Sequence, residues 1–384
     1  MATSRDDKKL TFRKFEDGDY EWGKWTDAIF DGDHSHKCPT YVHRTPPCQG
    51  SCPSGEDIRG WLDIVRGIEL APEGVSMQEY AFRRSTEANP FPAMMGRVCP
   101  APCQDGCNRN EVEDFVGINA VEQYIGDAAF KERFEFQAGA ELTGKKVAII
   151  GGGPAGMAAA YQLRRRGIAS TIFDDHEKLG GMMRYGIPGY RIPRDELDHE
   201  CQRILDMGDI EFKANTRVGR DVAVEDLEKD YDAILWALGC WTGRALPLEG
   251  WDETPNCVSA VKFLEQFNKG NLKYTANKIV CVGGGDTSID VVSVSRRIGT
   301  LKDMDDKPED VVNGITNHGD IDASLKKPCD NVTLTALFPR DQMTAAEHEV
   351  NDAITEGFTI INEGKPVEII RNDDGRATAL KLVD

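Results

Sequence analysis

The stretch Lys145-Lys-Val-Ala-Ile-Ile-Gly151-Gly-Gly-Pro-Ala-Gly156, followed by the helical run Met157–Arg166, decides the fold of this 384-residue chain. A short buried strand, a glycine-rich turn and a helix form a unit that binds dinucleotides. The first glycine permits a tight turn, the second a close approach of the backbone to a pyrophosphate, and the third close packing of helix on strand. The helix N-terminus then presents free N–H groups to the phosphates.

A second strand and an acidic residue follow this unit at the expected spacing. Ser170–Phe173 is predicted as a strand that ends at Asp174, 23 residues after Gly151. That carboxylate is placed to accept hydrogen bonds from ribose hydroxyls. A glycine triplet alone occurs in ordinary turns, but strand, turn, helix and acid together favour a dinucleotide site.

The same order of elements recurs later in the chain. Lys278–Val282 is predicted as a strand, Gly283-Gly-Gly-Asp-Thr-Ser288 as the turn and Ile289–Ile298 as a helix. Gly283 and Gly285 hold the first two glycine positions, and Ser288 replaces the third. The next predicted strand, Asn331–Phe338, comes late. The acidic residues before it, in Thr300–Cys329, predict a surface insertion; they are Asp303, Asp305, Asp306, Glu309, Asp310, Asp320 and Asp322.

The region before the first glycine turn shows helical periodicity, in Gly55–Ile68, Ser76–Glu87 and Ala120–Phe134, between stretches rich in proline and glycine. We therefore predict an α-helical domain over residues 1–143. Two Rossmann-like α/β domains follow, over residues 144–245 and 246–384.

Cysteines are concentrated in the helical region. Six of the 11 lie within the first 107 residues, and they are Cys38, Cys48, Cys52, Cys99, Cys103 and Cys107. The three-residue gaps and the prolines that follow several of these cysteines suit iron–sulfur clusters, and a structural zinc site is the alternative. The five scattered cysteines are typical of small buried hydrophobic residues.

Charge and hydropathy exclude some classes of function. A formal net charge of −19 argues against nucleic acid as a partner, because its phosphates would be repelled. No apolar run is as long as a membrane span, and the N-terminus lacks the apolar centre of a signal peptide. We expect a cytoplasmic protein.

The combined motifs resemble the glutamate synthase small-subunit family, which is itself similar to the electron-entry half of dihydropyrimidine dehydrogenase and to bifurcating ferredoxin–NADP reductases. The resemblance rests on the cysteine-rich helical region, both glycine turns and Leu179-Gly-Gly-Met-Met-Arg-Tyr-Gly-Ile-Pro188. It implies two 4Fe–4S clusters in the helical domain, FAD in the first nucleotide fold and NAD(P)H in the second. It implies electron transfer between NAD(P)H and a partner protein, allows a homodimer, and identifies no catalytic side chain.

The resemblance also implies ligands for each cluster. One cluster would use Cys52, Cys99, Cys103 and, as a carboxylate ligand, Glu122. The other would use Cys38, Cys48 and Cys107. Here the chain departs from the family, because a second cysteine near Cys38 is missing. The fourth ligand would then be a neighbouring histidine (His34, His36 or His43), or the site is altered.

The nucleotide sites implied by the resemblance follow the two glycine turns. For FAD they are Gly151, Gly153, Ala155, Gly156, Asp174, Gly181, Arg184 and Val218. For the nicotinamide nucleotide they are Gly283, Gly285, Asp286, Thr287 and Arg340. The family's NADPH users carry two arginines after the second strand of this domain. Here Pro339 replaces one of them, so we expect NADH to be preferred.

Two further expectations concern the end of the chain and its partner. The chain stops about where the family completes its flavin fold, so we expect FAD to be held incompletely. The segment His36–Cys52, the acidic insertion and the missing arginine resemble a sulfur-metabolism branch, the DsrL type, whose partner is dissimilatory sulfite reductase. The large subunit of glutamate synthase is the alternative partner. A cluster-bearing scaffold subunit is the alternative of another class.

Overall fold

The computed structural model describes residues 45–112, 114, 116–302 and 307–383. Cys38 and the neighbouring histidines, which carry part of the predicted second cluster site, lie outside the described residues. Among the helices of the described part, none combines the length and apolar character needed to span a membrane.

The first part of the described chain is helical. Its six α-helices are α1 (Pro47–Ser51), α2 (Ile58–Val65), α3 (Met77–Ser85), α4 (Pro92–Val98), α5 (Pro102–Asp105) and α6 (Ile118–Lys131). Side chains at their N-termini begin two of them: Asp57 accepts from the N–H of Gly60, and Ser76 accepts from that of Glu79. The three helices predicted from periodicity are therefore confirmed as α2, α3 and α6. Trp61, Ile64, Phe82 and Ile125 lie in their shared core.

The first nucleotide fold is a four-stranded parallel sheet in the order β3-β2-β1-β4. Its strands are β1 (Lys146–Ile150), β2 (Ala169–Phe173), β3 (Ile210–Lys213) and β4 (Ala233–Trp236), and its helices are α7 (Pro154–Arg165), α8 (Met182–Tyr185), α9 (Arg194–Leu205) and α10 (Val224–Asp230). β1 is buried over Val147–Ile150, as expected for a central parallel strand. The predicted strand, glycine turn and helix are present in that order.

The second nucleotide fold has a three-stranded parallel sheet in the order β5-β8-β9. After α11 (Ala260–Asn268) come β5 (Lys278–Val282), α12 (Asp286–Ile298), β6 (Thr300–Leu301), α13 (Pro308–Val312), β7 (Lys326–Lys327), β8 (Asn331–Thr335), α14 (Glu347–Thr355) and β9 (Thr359–Ile361). β10 (Lys365–Arg371) and β11 (Ala377–Val383) form an antiparallel pair. β6 pairs with β7, so the long connection between α12 and β8 has its own small ribbon.

The prediction of a surface insertion over Thr300–Cys329 is wrong in part. Val311 and Val312 of α13 are 1% and 3% exposed and belong to the core of the second nucleotide fold, as does Cys329. The acid Glu309 is also buried, in an ion pair with Arg376. Asp320 and Asp322 are exposed, as predicted. Two adjacent valines among so many acids give too weak a periodic pattern to predict a core helix.

The helical part and the first nucleotide fold share a core. Phe91, Ala93 and Met94 of the α4 region pack with Ile149 and Leu197 of the first nucleotide fold in one buried cluster. The predicted domain limits at residues 143 and 245 remain predictions.

Candidate functional site

The first glycine turn forms a cradle lined by backbone. Gly151 has a φ of +114°, and a Cβ at this position would clash with the carbonyl oxygen of Ala237. A Cβ on Gly156 would clash with the carbonyl oxygen of Gly151, which is the close helix–strand packing expected of the third glycine. Gly153 precedes α7 as its N-cap and has no side chain to satisfy the N–H groups of the first turn. Those N–H groups are available to an anion.

The loop that begins at Gly180 closes over this turn. The N–H of Gly180 donates to the carbonyl of Gly152 at 2.9 Å. Gly181 has a φ of +49°, and a Cβ there would clash with the Cα of Gly153. Ala155, in the first turn of α7, is exposed. The predicted cofactor residues Gly151, Gly153, Gly156 and Gly181 are therefore brought together, and side chains would obstruct this contact.

Asp174 lies at the end of β2, as predicted, and its carboxylate is held in place by the turn. One oxygen accepts from the N–H of Gly152 at 2.6 Å, and the other accepts from the N–H and the Nδ1 of His176 at 2.8 and 3.0 Å. Burial acts to raise the pKa of Asp174, but these hydrogen bonds outweigh it and lower the pKa below its usual value. The carboxylate is thus an anion fixed at the edge of the cradle.

His176 is a site residue that sequence reasoning missed. Its ring stacks on Trp241, with ring centroids 4.7 Å apart, and lies 4.3 Å from the Tyr185 centroid. Burial acts to lower its pKa, but hydrogen bonds to Asp174 and Glu265 raise the pKa to about 9. His176 is therefore a cation at neutral pH. Its place two residues after Asp174 was the only signal in the sequence.

Two other predicted FAD residues make protein contacts. Arg184 is buried; its Nε donates to the carbonyl of Leu179 and its guanidinium pairs with Asp198. It therefore fixes the loop that carries Gly180 and Gly181. Val218 is half-buried against the cluster that contains Ile150 and Phe173.

The second glycine turn repeats the geometry with one substitution. Gly283 has a φ of +149°, and a Cβ there would clash with the Oγ of Ser288, the residue in the third position. Gly285 is the N-cap of α12, and Asp286 accepts from the N–H of Ala346 at 3.0 Å. Thr287 is exposed in the first turn of α12.

Arg340 and Pro339 lie beside this turn, because β8 pairs with β5 in parallel and both strands end at the same edge. Arg340 is exposed, and its guanidinium donates to the Oδ1 of Asn351 at 2.7 Å. Pro339 is the N-cap of the short 3-10 helix Arg340–Gln342. It has neither a cationic group nor a backbone N–H.

Four predicted ligands of one cluster form an electrostatically coupled set. Burial, together with negative charge on Cys99, Glu122 and Cys52, raises the pKa of Cys103 to about 12. Burial likewise raises the pKa of Cys99, to which Glu122 and Cys52 contribute. Ala101, between the two thiols, has a left-handed φ of +56°, a strained conformation that recurs at functional sites.

The second predicted set is more exposed and is described only in part. Burial raises the pKa of Cys48, and the charge of Cys107 contributes to that rise. Cys48 and Cys107 are therefore close enough for their charges to interact, and their role as ligands of a second cluster remains a prediction. The ten cysteines of the described part carry no disulfide.

Buried acids around Glu122 were also missed by sequence reasoning. Burial and the charge of Glu56 raise the pKa of Glu122 to about 9. The Nδ2 of Asn89 donates to the Oε1 of Glu122 at 2.7 Å, and the N–H of Phe91 donates to the Oδ1 of Asn89 at 2.9 Å. Glu56 and Asn89 lie far from Glu122 in sequence, so no local pattern could have joined them.

These donor sets fit the cofactors that the sequence implies. Burial and the charge of Glu122 raise the pKa of Cys99 and Cys103, so these thiols are costly as anions, and a cationic iron–sulfur core would relieve that cost. The backbone cradle at Gly151–Gly156 and the carboxylate of Asp174 match the pyrophosphate and ribose of a dinucleotide. This arrangement defines a class of protein, a pyridine-nucleotide-linked flavoprotein oxidoreductase with an iron–sulfur domain.

The chain belongs to the pyridine nucleotide-disulphide oxidoreductase family, whose model matches residues 145–383. Residues 30–134 match the model of dihydropyrimidine dehydrogenase domain II, 4Fe-4S cluster. These two matches confirm the predicted fold class. Together with the curated relatives, they confirm the resemblance to the glutamate synthase small-subunit family.

Curated relatives agree with this assignment. The NADPH-dependent glutamate synthase small chain of Escherichia coli is 31% identical over 88% of this chain and 66% of the relative. The NADPH-Fe(3+) oxidoreductase subunit beta of Geobacter sulfurreducens is 33% identical over 90% of this chain and 47% of the relative. This chain thus spans about half to two thirds of their length. A solved structure of Mycobacterium tuberculosis FprA with NADPH is 16% identical, with a TM-score of 0.45 over 62% of this chain and 67% of FprA.

Proposed function

We propose that this protein moves electrons between a reduced nicotinamide nucleotide and a partner protein through FAD and two 4Fe–4S clusters. The observation that carries the proposal is the packing of helix α4, whose C-cap is Cys99, into the core of the first nucleotide fold through Ala93 and Met94. Bound flavin accepts two electrons as hydride and releases them singly, and clusters carry single electrons onward. A core shared by the helical part and the first nucleotide fold would hold the flavin and a cluster at a fixed distance for electron transfer.

The residues of the chain supply binding and orientation. The N–H groups at the start of α7 and the carboxylate of Asp174 would hold the FAD pyrophosphate and ribose. The N-terminus of α12, after Gly285, would hold the nicotinamide nucleotide. Arg191 joins the two folds by ion pairs with Asp290 of α12 and Glu349 of α14.

Absorbance of the purified protein tests the proposal against the scaffold alternative. We expect flavin and iron–sulfur bands that are bleached when NADH is added without oxygen. A protein that carries clusters but, with FAD supplied in excess, neither binds the flavin nor responds to NADH or NADPH would be a scaffold subunit.

Single cysteine substitutions test the number of clusters. If the Cys99 and Cys107 sets hold separate clusters, Cys99→Ala and Cys107→Ala should each remove about half of the bound iron, and the double variant nearly all of it. Cys257→Ala, at one of the scattered cysteines, is the matched control and should retain full iron content. Loss of all iron from either single variant would show one shared cluster, and zinc in place of iron would favour the structural site.

Coenzyme choice rests on Pro339. A 2′-phosphate needs cationic partners, and a lost charged hydrogen bond costs on the order of 1.5–3 kcal/mol, or about tenfold or more in affinity. We propose that NADH is preferred here, although the two relatives named above are described as NADPH enzymes. Pro339→Arg should raise kcat/KM for NADPH about tenfold with little change for NADH. A preference of the unchanged protein for NADPH would contradict this proposal.

The electron acceptor is proposed from the sequence resemblance. The segment His36–Cys52, the connection after α12 and the lone Arg340 favour the DsrL-type branch, with a dissimilatory sulfite reductase as partner. The alternative is the large subunit of glutamate synthase. Anaerobic electron transfer from NADH to each purified partner distinguishes them, and reduction of only the glutamate synthase subunit would reverse the assignment.

A further inference from the structure

Helix α4 connects the two parts of the proposed electron path. It begins after Phe91, whose side chain does not cap it, and it ends at Cys99, a predicted cluster ligand. The N–H groups at the start of a helix need acceptors from outside the helix. For α4 these acceptors come from the first nucleotide fold.

Glu200 of α9 supplies them. Its Oε1 accepts from the N–H of Ala93 at 2.8 Å, and its Oε2 accepts from the N–H of Met94 at 3.3 Å. The side chain comes from more than a hundred residues away in sequence, and only 2% of Glu200 is exposed. A buried carboxyl is costly unless its oxygens are hydrogen-bonded, so these two contacts account for its position.

A second contact holds the other end of the same helix. Arg97, two residues before Cys99, pairs with Glu196 of α9 at 2.8 Å and with Asp127 of α6 at 2.7 Å. Glu196 and Glu200 lie one turn apart on α9. The helix is therefore held at both ends by one face of α9.

Helix α6, which carries the predicted ligand Glu122, packs directly against α4. A Cβ on Gly96 would clash with the backbone of Gln123, and one on Gly126 would clash with the backbone of Ala93, so α4 and α6 pack backbone against backbone. Glu122 lies on α6, one turn before Gly126. Asn119 of α6 donates to the carbonyl of Cys99 at 2.8 Å. A displacement of α4 would thus move Cys99 and Glu122 together.

We propose that Glu200 is a positioning residue that fixes the cluster ligands Cys99 and Glu122 relative to the flavin-binding fold, by capping α4 from α9. This role rests on the proposed function, because it matters only if electrons pass between the two sites. FAD held at the start of α7 would accept a hydride from NADH and then release its two electrons singly to the cluster, with the proton of the hydride passing to solvent. Glu200 sets the geometry of that second step and takes no part in the first.

The test separates the two steps. Glu200→Gln keeps the size of the side chain but leaves one oxygen to accept two N–H groups. Arg97→Gln removes the other contact and is the second variant. Asp206→Asn, at an exposed acid at the end of the same helix, is the control. NADH bleaching of the flavin is followed by stopped flow, and the cluster signal by freeze-quench electron paramagnetic resonance.

We expect flavin reduction close to that of the unchanged protein and cluster reduction slowed severalfold in both variants, because electron transfer between two bound groups slows steeply as the distance between them grows. A readout that does not depend on turnover is hydrogen–deuterium exchange of the peptide that contains Ala93 and Met94. Its exchange should speed up in Glu200→Gln and remain unchanged in Asp206→Asn.

Three results would overturn either the positioning role of Glu200 or the proposed electron-transfer function. Unchanged cluster reduction in both variants excludes a positioning role. An equal fall in both steps, with loss of flavin, shows that Glu200 only supports the fold. An unchanged protein whose flavin does not respond to NADH or NADPH refutes the proposed function instead, and the exchange measurement then still decides whether Glu200 caps α4.

Discussion

Arg191 offers the sharpest test of how the two nucleotide folds are joined. Its guanidinium bonds to the Oδ1 of Asp290 at 3.0 Å and pairs with Glu349, and the three side chains are 22%, 8% and 14% exposed. Burial raises the pKa of both acids, and the charge of Arg191 opposes that rise. Arg191→Met would leave two buried carboxylates without their shared cation.

The expected cost follows from that burial. Removal of one partner from a buried ion pair costs about 3–5 kcal/mol. Arg297 also lowers the pKa of Asp290 and remains in the variant, and each acid can escape part of the penalty by binding a proton. We therefore expect a loss of about 3 kcal/mol in the free energy of unfolding at neutral pH, and a smaller loss at about pH 5, where the acids are closer to protonation.

Urea unfolding monitored by tryptophan fluorescence measures this loss. Arg220→Met is the control, because the Arg220–Asp221 pair is exposed and screened by solvent, so its loss should change stability little. Asp290→Asn in the Arg191→Met background should restore part of the stability, since it removes one of the two buried carboxylates that have lost their cation. The reasoning is refuted if Arg191→Met costs no more than Arg220→Met, or costs the same amount at both pH values.

Two further predictions concern the cluster helices and the cofactor cradle. Gly126→Ala should lower stability by about 1–3 kcal/mol and reduce iron content, because the new Cβ would clash with the backbone of Ala93; Gly319→Ala, where a Cβ meets open space, should do neither. The pKa of His176 is raised from 6.5 to about 9, so its stabilising contribution is full below pH 6.5 and is lost as pH rises through about 9. The stability difference between the unchanged protein and His176→Gln should shrink over that interval, and a constant difference in urea unfolding would contradict this.

Local patterns were sufficient to predict the glycine turns and their strands. The strand Lys278–Val282 has the predicted limits, and Asp174 directly follows β2. These features follow from the requirements of a tight turn between a buried strand and a helix, which operate over a few residues. The valines of α13 were missed because their burial depends on the sheet they cover, which lies elsewhere in the sequence.

Contacts between distant segments account for the rest of the site. Asn89, Glu56 and Glu200 are charged or polar residues that sequence patterns place at the surface, yet the structure buries all three. Each is buried because it meets a specific partner: Glu122 for the first two, and the start of α4 for the third. No spacing within a single segment predicts such pairs.

The crossover between β2 and β3 carries the residues by which the first nucleotide fold contacts both the helical part and the second nucleotide fold. A parallel crossover needs only about a dozen residues, but this one runs from residue 174 to 209. Arg191, near its middle, pairs with the second nucleotide fold, and Glu200, on α9, caps the helix that leads to Cys99. The two contacts are nine residues apart on one segment. A shift of α9 would therefore disturb both the ion pair of Arg191 with α12 and the hydrogen bonds of Glu200 with α4. We therefore expect substitutions in this crossover to impair electron transfer even where they touch no cofactor-binding residue.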